Sequence, residues 1–159
     1  MESLAPFLEM LRNWPGAEWL RQSSTAYLFV NAAHILGIGL TLGAILPLDL
    51  RLLGLSRAPL ETLAPFLVRA AGWGLALAIP TGIWLFSVKP GFYLGNTAFL
   101  WKLTLIGAAV VNVVLQHIGG PDRGFRRRGK IAGRTRLHAF ISAALWLGVL
   151  LAGRWIGFL

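Results

Sequence analysis

Three histidines lie in stretches that are otherwise apolar: His34, His117 and His138. Neutral imidazole is a good ligand for iron, copper or zinc. Each has polar company on its own stretch. Asn31, His34, Ile38 and Thr41 share one face, Asn112 and Gln116 precede His117, and Ser142 follows His138 by one turn. Gly37, Gly39 and Gly43 lie beside His34, with Gly39 and Gly43 forming a small-xxx-small pair. Such a pair suits close helix packing, or room for a flat cofactor.

The elements that carry these residues are set by composition. The chain has 159 residues, 56% hydrophobic and 13% charged. A soluble domain this small cannot hide so much apolar surface. Thr25 to Leu48 and Ala70 to Val88 carry no charge, Pro90 to Pro121 contains only Lys102, and Leu137 to Leu159 only Arg154. Roughly 20 apolar residues cross the hydrocarbon core as a helix. The reading is all-α: an integral membrane four-helix bundle with helices at 25–48, 66–88, 98–119 and 136–157. Residues 1–24 form an amphipathic interfacial segment, because Leu4, Phe7, Leu8 and Leu11 share a face and Trp14, Trp19 and Tyr27 suit a membrane interface. Residues 25–159 form the transmembrane domain. No cleavable signal peptide is expected, since the first apolar run is long and starts late.

Charge placement orients the spans. Of 15 Lys and Arg, seven (Arg123, Arg126, Arg127, Arg128, Lys130, Arg134, Arg136) lie between the third and fourth spans, and three (Arg51, Arg57, Arg69) between the first and second. Short basic loops stay cytoplasmic, so both termini face the periplasm of a bacterial inner membrane. The arginine run sits beside anionic lipid, and no nucleic-acid partner is expected. Asp49, at the end of the first span, is unfavourable to the helix dipole and calls for a cation, Arg51 or Arg69.

Depth sorts the histidines. His34 lies roughly 22 Å from the cytoplasmic surface, His117 roughly 7 Å and His138 roughly 3 Å, while Lys102 and Arg154 stand about 27 to 30 Å up. Haem b needs one or two axial ligands, an apolar slot between helices and cations for its propionates. His34 would use Lys102 and Arg154. The level pair His117 and His138 would use Arg69 or the basic loop. Copper fits less well, because the only Met are Met1 and Met10 and there is no Cys. A proton or ion path fits less well still, because Asp49, Glu61 and Asp122 all fall in loops. No level Ser–His–Asp grouping and no HExxH motif suggest hydrolysis.

The stretches HILGIGLTLGAILPLDLRLLG, YLGNTAFLWKLTLIGAAVVNVVLQH and LWLGVLLAGRWIGFL resemble a family of small bacterial four-helix membrane proteins of unknown function. The resemblance covers most of the chain from Tyr27. It implies that His34, Asp49, Arg51, Lys102, Asn112, His117 and Arg154 are family-typical positions, and it does not reach His138. A looser likeness, of architecture only, is to copper-resistance D and cytochrome b-type four-helix membrane proteins, which carry intramembrane histidines. The expectation is a haem b-binding membrane cytochrome with iron on His34, His117 or both, serving electron transfer or ligand sensing, with Asn31, His138, Lys102 and Arg154 around the cofactor. The alternatives are a cofactor-free accessory subunit of a larger membrane complex and a small-solute or metal transporter. Partners are the bilayer and a membrane protein or a second copy.

The orientation has a direct check. A reporter enzyme that works only outside the cytoplasm should be active when fused after Leu159 and silent when fused within 122–134. The reverse pattern would invert the topology.

Overall fold

The computed structural model describes residues 5–118 and 133–158, without the side chains of 117 and 118. The run from Arg123 to Lys130 lies outside the described residues. Among the described residues every regular element is a helix: α1 (Ala5–Asn13), α2 (Pro15–Gln22), α3 (Ser24–Leu53), α4 (Leu60–Val88), α5 (Pro90–Gly95), α6 (Thr97–Ile118) and α7 (Gly133–Trp155), then a 3₁₀ turn (Ile156–Phe158). Four of these helices, α3, α4, α6 and α7, are long and apolar enough to cross a membrane.

Local chemistry explains the boundaries. Pro15 opens α2, where a missing N–H costs nothing and φ is already helical. Ser23 then caps α3, its hydroxyl accepting the Ala26 N–H at 3.2 Å. The first span was expected to stop at Leu48, yet α3 runs to Leu53. Its stop is Gly54, with φ at +87°. The Leu55 N–H donates to the Leu50 carbonyl (3.0 Å) and the Gly54 N–H to that of Arg51 (3.1 Å). That is a glycine C-terminal cap, and a positive φ is what glycine permits. Asp49 therefore sits inside the helix, and so does Glu61, within the first turn of α4. Pro47 is also inside α3 and leaves the Gly43 carbonyl without its helical donor. Both residues are exposed.

The described residues form two compact units. The first takes the chain up to Thr41 together with Arg69–Asn96. In it α3 and α4 meet backbone to backbone. A Cβ on Gly37 would lie 2.7 Å from the Ala78 nitrogen, and one on Gly74 would lie 2.5 Å from the Thr41 hydroxyl. The expected small-residue pair was Gly39 and Gly43, but an added Cβ at either has nothing within 4 Å. The close approach uses the neighbouring Gly37.

Tryptophans hold α2 in the same unit. The Trp14 indole donates to the Ser87 hydroxyl at 3.0 Å, and the Trp84 indole to the Gly16 carbonyl at 2.9 Å. Trp14 and Trp19 sit on Trp84 with ring centroids 6.0 and 5.9 Å away. Leu20, Ala26, Val30, Leu85 and Val88 fill the space beneath. All three aromatics expected to anchor in lipid thus also contact this chain, Tyr27 through the Tyr93 side chain.

The second unit takes Leu42–Val68 and the described residues from Thr97 on. Here α6 and α7 pack on each other. Ala109 and Ala139 are each 1% exposed. Leu105 reaches Gly148, where an added Cβ would lie 3.2 Å from its methyl.

Gly37→Ala should push the helices apart and lower stability by about 1–3 kcal/mol. Gly39→Ala should be neutral or stabilising by up to about 1 kcal/mol. Thermal unfolding of the two variants in one detergent checks this. Equal melting temperatures would remove the close contact from Gly37.

Candidate functional site

His34 projects from α3 into the contact with α4. Its Nδ1 lies 2.9 Å from the Ala78 carbonyl and 3.2 Å from the Thr81 hydroxyl. The Thr81 hydroxyl itself donates to the Leu77 carbonyl at 2.6 Å. A carbonyl only accepts, so the proton is assigned to Nδ1 and the ring lone pair to Nε2. The ring lies flush on α4: a Cβ on Gly82 would sit 2.8 Å from Cε1. Three features combine here. Gly37 and Gly74 let the backbones close, Gly82 admits the ring, and Ala78 orients it. The Thr41 hydroxyl donates to the Gly37 carbonyl at 2.9 Å and is 2% exposed. Asn31 is half-buried one turn before His34.

Lys102 and Arg154, expected above His34, belong to the second unit. The Lys102 stem lies along Gly153, 3.7 Å from where a Cβ would stand. Arg154 is exposed and sets its guanidinium 5.1 Å over the Phe158 ring. The structure therefore gathers these two cations at one end of α7.

His138, also in the second unit, is held by Asn112. Its Nδ1 donates to the Asn112 Oδ1 at 2.7 Å, and the Asn112 amide donates to the His138 carbonyl at 3.1 Å. Asn112 is 6% exposed, so both ends of its side chain are matched by one residue. The pairing of His138 with His117 falls outside the described side chains. Among the described residues, no three His, Asp or Glu side chains converge as a metal site.

Asp49 departs from expectation. No cation takes its carboxylate among the described residues. Arg51 turns its Nε to the Ala58 carbonyl, and the Asp49 partner is the Ser142 hydroxyl. Sequence reasoning missed this pair because it joins residues far apart in the chain. It also missed an open cavity of about 330 Å³ in the first unit, lined by Arg12, Arg21, Lys89 and Phe92 among others. Three separate elements supply those cations, and no local spacing links them.

No family model, curated protein or solved structure matches the chain.

The Asn112–His138 pairing makes a quantitative prediction. In a double-mutant cycle with Asn112→Ala and His138→Ala, melting in detergent should show a coupling of about 0.5–3 kcal/mol. Strictly additive effects would mean that the two side chains do not share a bond.

Proposed function

We propose that this is a multi-pass protein of the bacterial inner membrane, a four-helix bundle with both termini periplasmic, which carries haem b on His34 and serves electron transfer or ligand sensing. The observation that carries the reading is the hydrogen bond from His34 Nδ1 to the Ala78 carbonyl. Metal-ligating histidines almost always donate their other ring N–H to such an acceptor, which fixes the tautomer and raises ligand basicity. The residues present fit an axial-ligand role in this respect. The imidazole is oriented from α4, its lone pair is on Nε2, and Gly82 removes the side chain that would crowd the ring.

The membrane reading rests on the apolar helices and on what they expose. Trp73 is 74% exposed, Phe66 69% and Phe29 67%. Large apolar side chains exposed on helices of this length suit contact with lipid or another protein. The orientation rests on the basic residues.

Haem, when bound, would supply one-electron exchange at iron. The chain's part is to present His34 Nε2 and to hold the ring through Ala78 and Thr81. No second histidine lies level with His34 in the sequence, so His34 would be the chain's one imidazole for a haem held there, with water or a partner subunit able to add to it.

Protein purified from cells supplied with haem precursor should show a Soret band that shifts when carbon monoxide meets the reduced form. His34→Ala should remove or move that band. A colourless preparation would sink the haem reading and leave His34 as an interhelical hydrogen-bonding group, as in an accessory subunit. A band that survives His34→Ala and vanishes in His117→Ala would move the site to the other end of the helices.

A further inference from the structure

The second unit holds a carboxyl group that the haem reading does not use. Asp49 lies inside α3, one turn before the Gly54 cap, and is 5% exposed. The Ser142 hydroxyl, 7% exposed on α7, donates to it. Its Oδ2 is buried and has no hydrogen-bond partner among the described residues.

An ionised carboxylate is acceptor-only and has room for several donors. Removing it from water costs far more than one hydroxyl returns, unless a counter-charge or a proton neutralises it. Among the described residues the charged and titratable groups of the surrounding elements form no ion pair with it. On α3, Arg51 donates to the Ala58 carbonyl. Arg57 and Glu61 are exposed. On α7, Arg134 reaches the Leu115 carbonyl at 3.5 Å, the Arg136 guanidinium lies beside Gly54, and His138 is bound to Asn112. On α6, the His117 side chain lies outside those described.

A metal cation would also neutralise Asp49, but hard cations take about six or more oxygens. Among the described residues no group of three or more His, Asp or Glu gathers to share such a cation. A proton needs one oxygen, and Oδ2 is that oxygen. His138, Ser142 and Trp146 recur every four residues along α7, about 6 Å apart. The Trp146 indole N–H is also buried without a partner among the described residues.

We propose that Asp49 is a proton-binding site, in which Oδ2 takes a proton and the carboxyl group is held neutral beside Ser142. The proton comes from water, forms the Oδ2–H bond and cancels the carboxylate charge. Release returns it to water and restores the charge. The site is independent of haem, and it places proton uptake and release in the same chain.

Infrared difference spectroscopy of the full-length protein in lipid nanodiscs, titrated with pH, reads this directly. Wild type should show the stretch of a protonated carboxyl group that is lost as pH rises. Asp49→Asn should lack that band, Ser142→Ala should shift its frequency, and Asp49→Glu should displace it while keeping a titrating carboxyl. Circular dichroism establishes that each variant is folded, and if Asp49→Asn is not, the band shift in Ser142→Ala carries the assignment. Identical carboxyl bands in wild type and Asp49→Asn, or no protonated band at any pH, would overturn the proposal. So would a band abolished at fixed pH by replacing choline with sodium, which would assign the site to a metal cation. The measurement holds for a coloured or a colourless preparation, so its failure is distinct from that of the haem reading.

Discussion

The backbone contact between α3 and α4 at Gly37 and Gly74 is the constraint on which the first unit depends. With no Cβ at either position, the Ala78 amide comes within 2.7 Å of where a Gly37 side chain would begin. That approach is what lets the His34 ring reach the Ala78 carbonyl across the helices. A larger residue at Gly37 would widen the gap and detach Nδ1 from its acceptor. The orientation of the imidazole is therefore a consequence of helix packing. In an apolar surrounding no water competes for these groups, so such interhelical bonds are the alternative to leaving the donor unmet.

The second unit solves the same problem differently. Asn112 satisfies a side chain and a backbone carbonyl of His138 at once, so its buried amide has a donor and an acceptor matched to one partner. Asp49 is matched at one oxygen only, by Ser142. A satisfied amide needs nothing more, whereas a half-satisfied carboxyl group in an apolar interior calls for a proton or a cation. The contrast separates a residue that holds two helices together from one able to exchange something with solvent.

Much of the architecture was legible in the chain. Uncharged runs of helix-spanning length located the four long helices. The end of α3 was legible too, but from a different residue than the one read. The charge of Asp49 looked like the stop. The glycine that follows DLRLL is the stop, because a left-handed backbone ends a helix and a single charge does not. The five further residues put Asp49 inside the helix, where the cost of burying a charge bears on it.

The sequence by itself determined which segments are helical and apolar and that His34, Asn112 and Asp49 lie in or beside them, since these follow from local periodicity and from the cost of burying charge. Partner choice was decided by tertiary structure alone. That Gly37 and not Gly39 makes the close contact, that His34 bonds Ala78, that Asp49 meets Ser142 and not Arg51, and that Asn112 grips His138 all depend on how helices are rotated and shifted against each other. Helical spacing tells which residues share a face. It does not tell what that face will meet, because a rotation of one helix by a single residue, about 100°, exchanges every contact while leaving the periodicity unchanged.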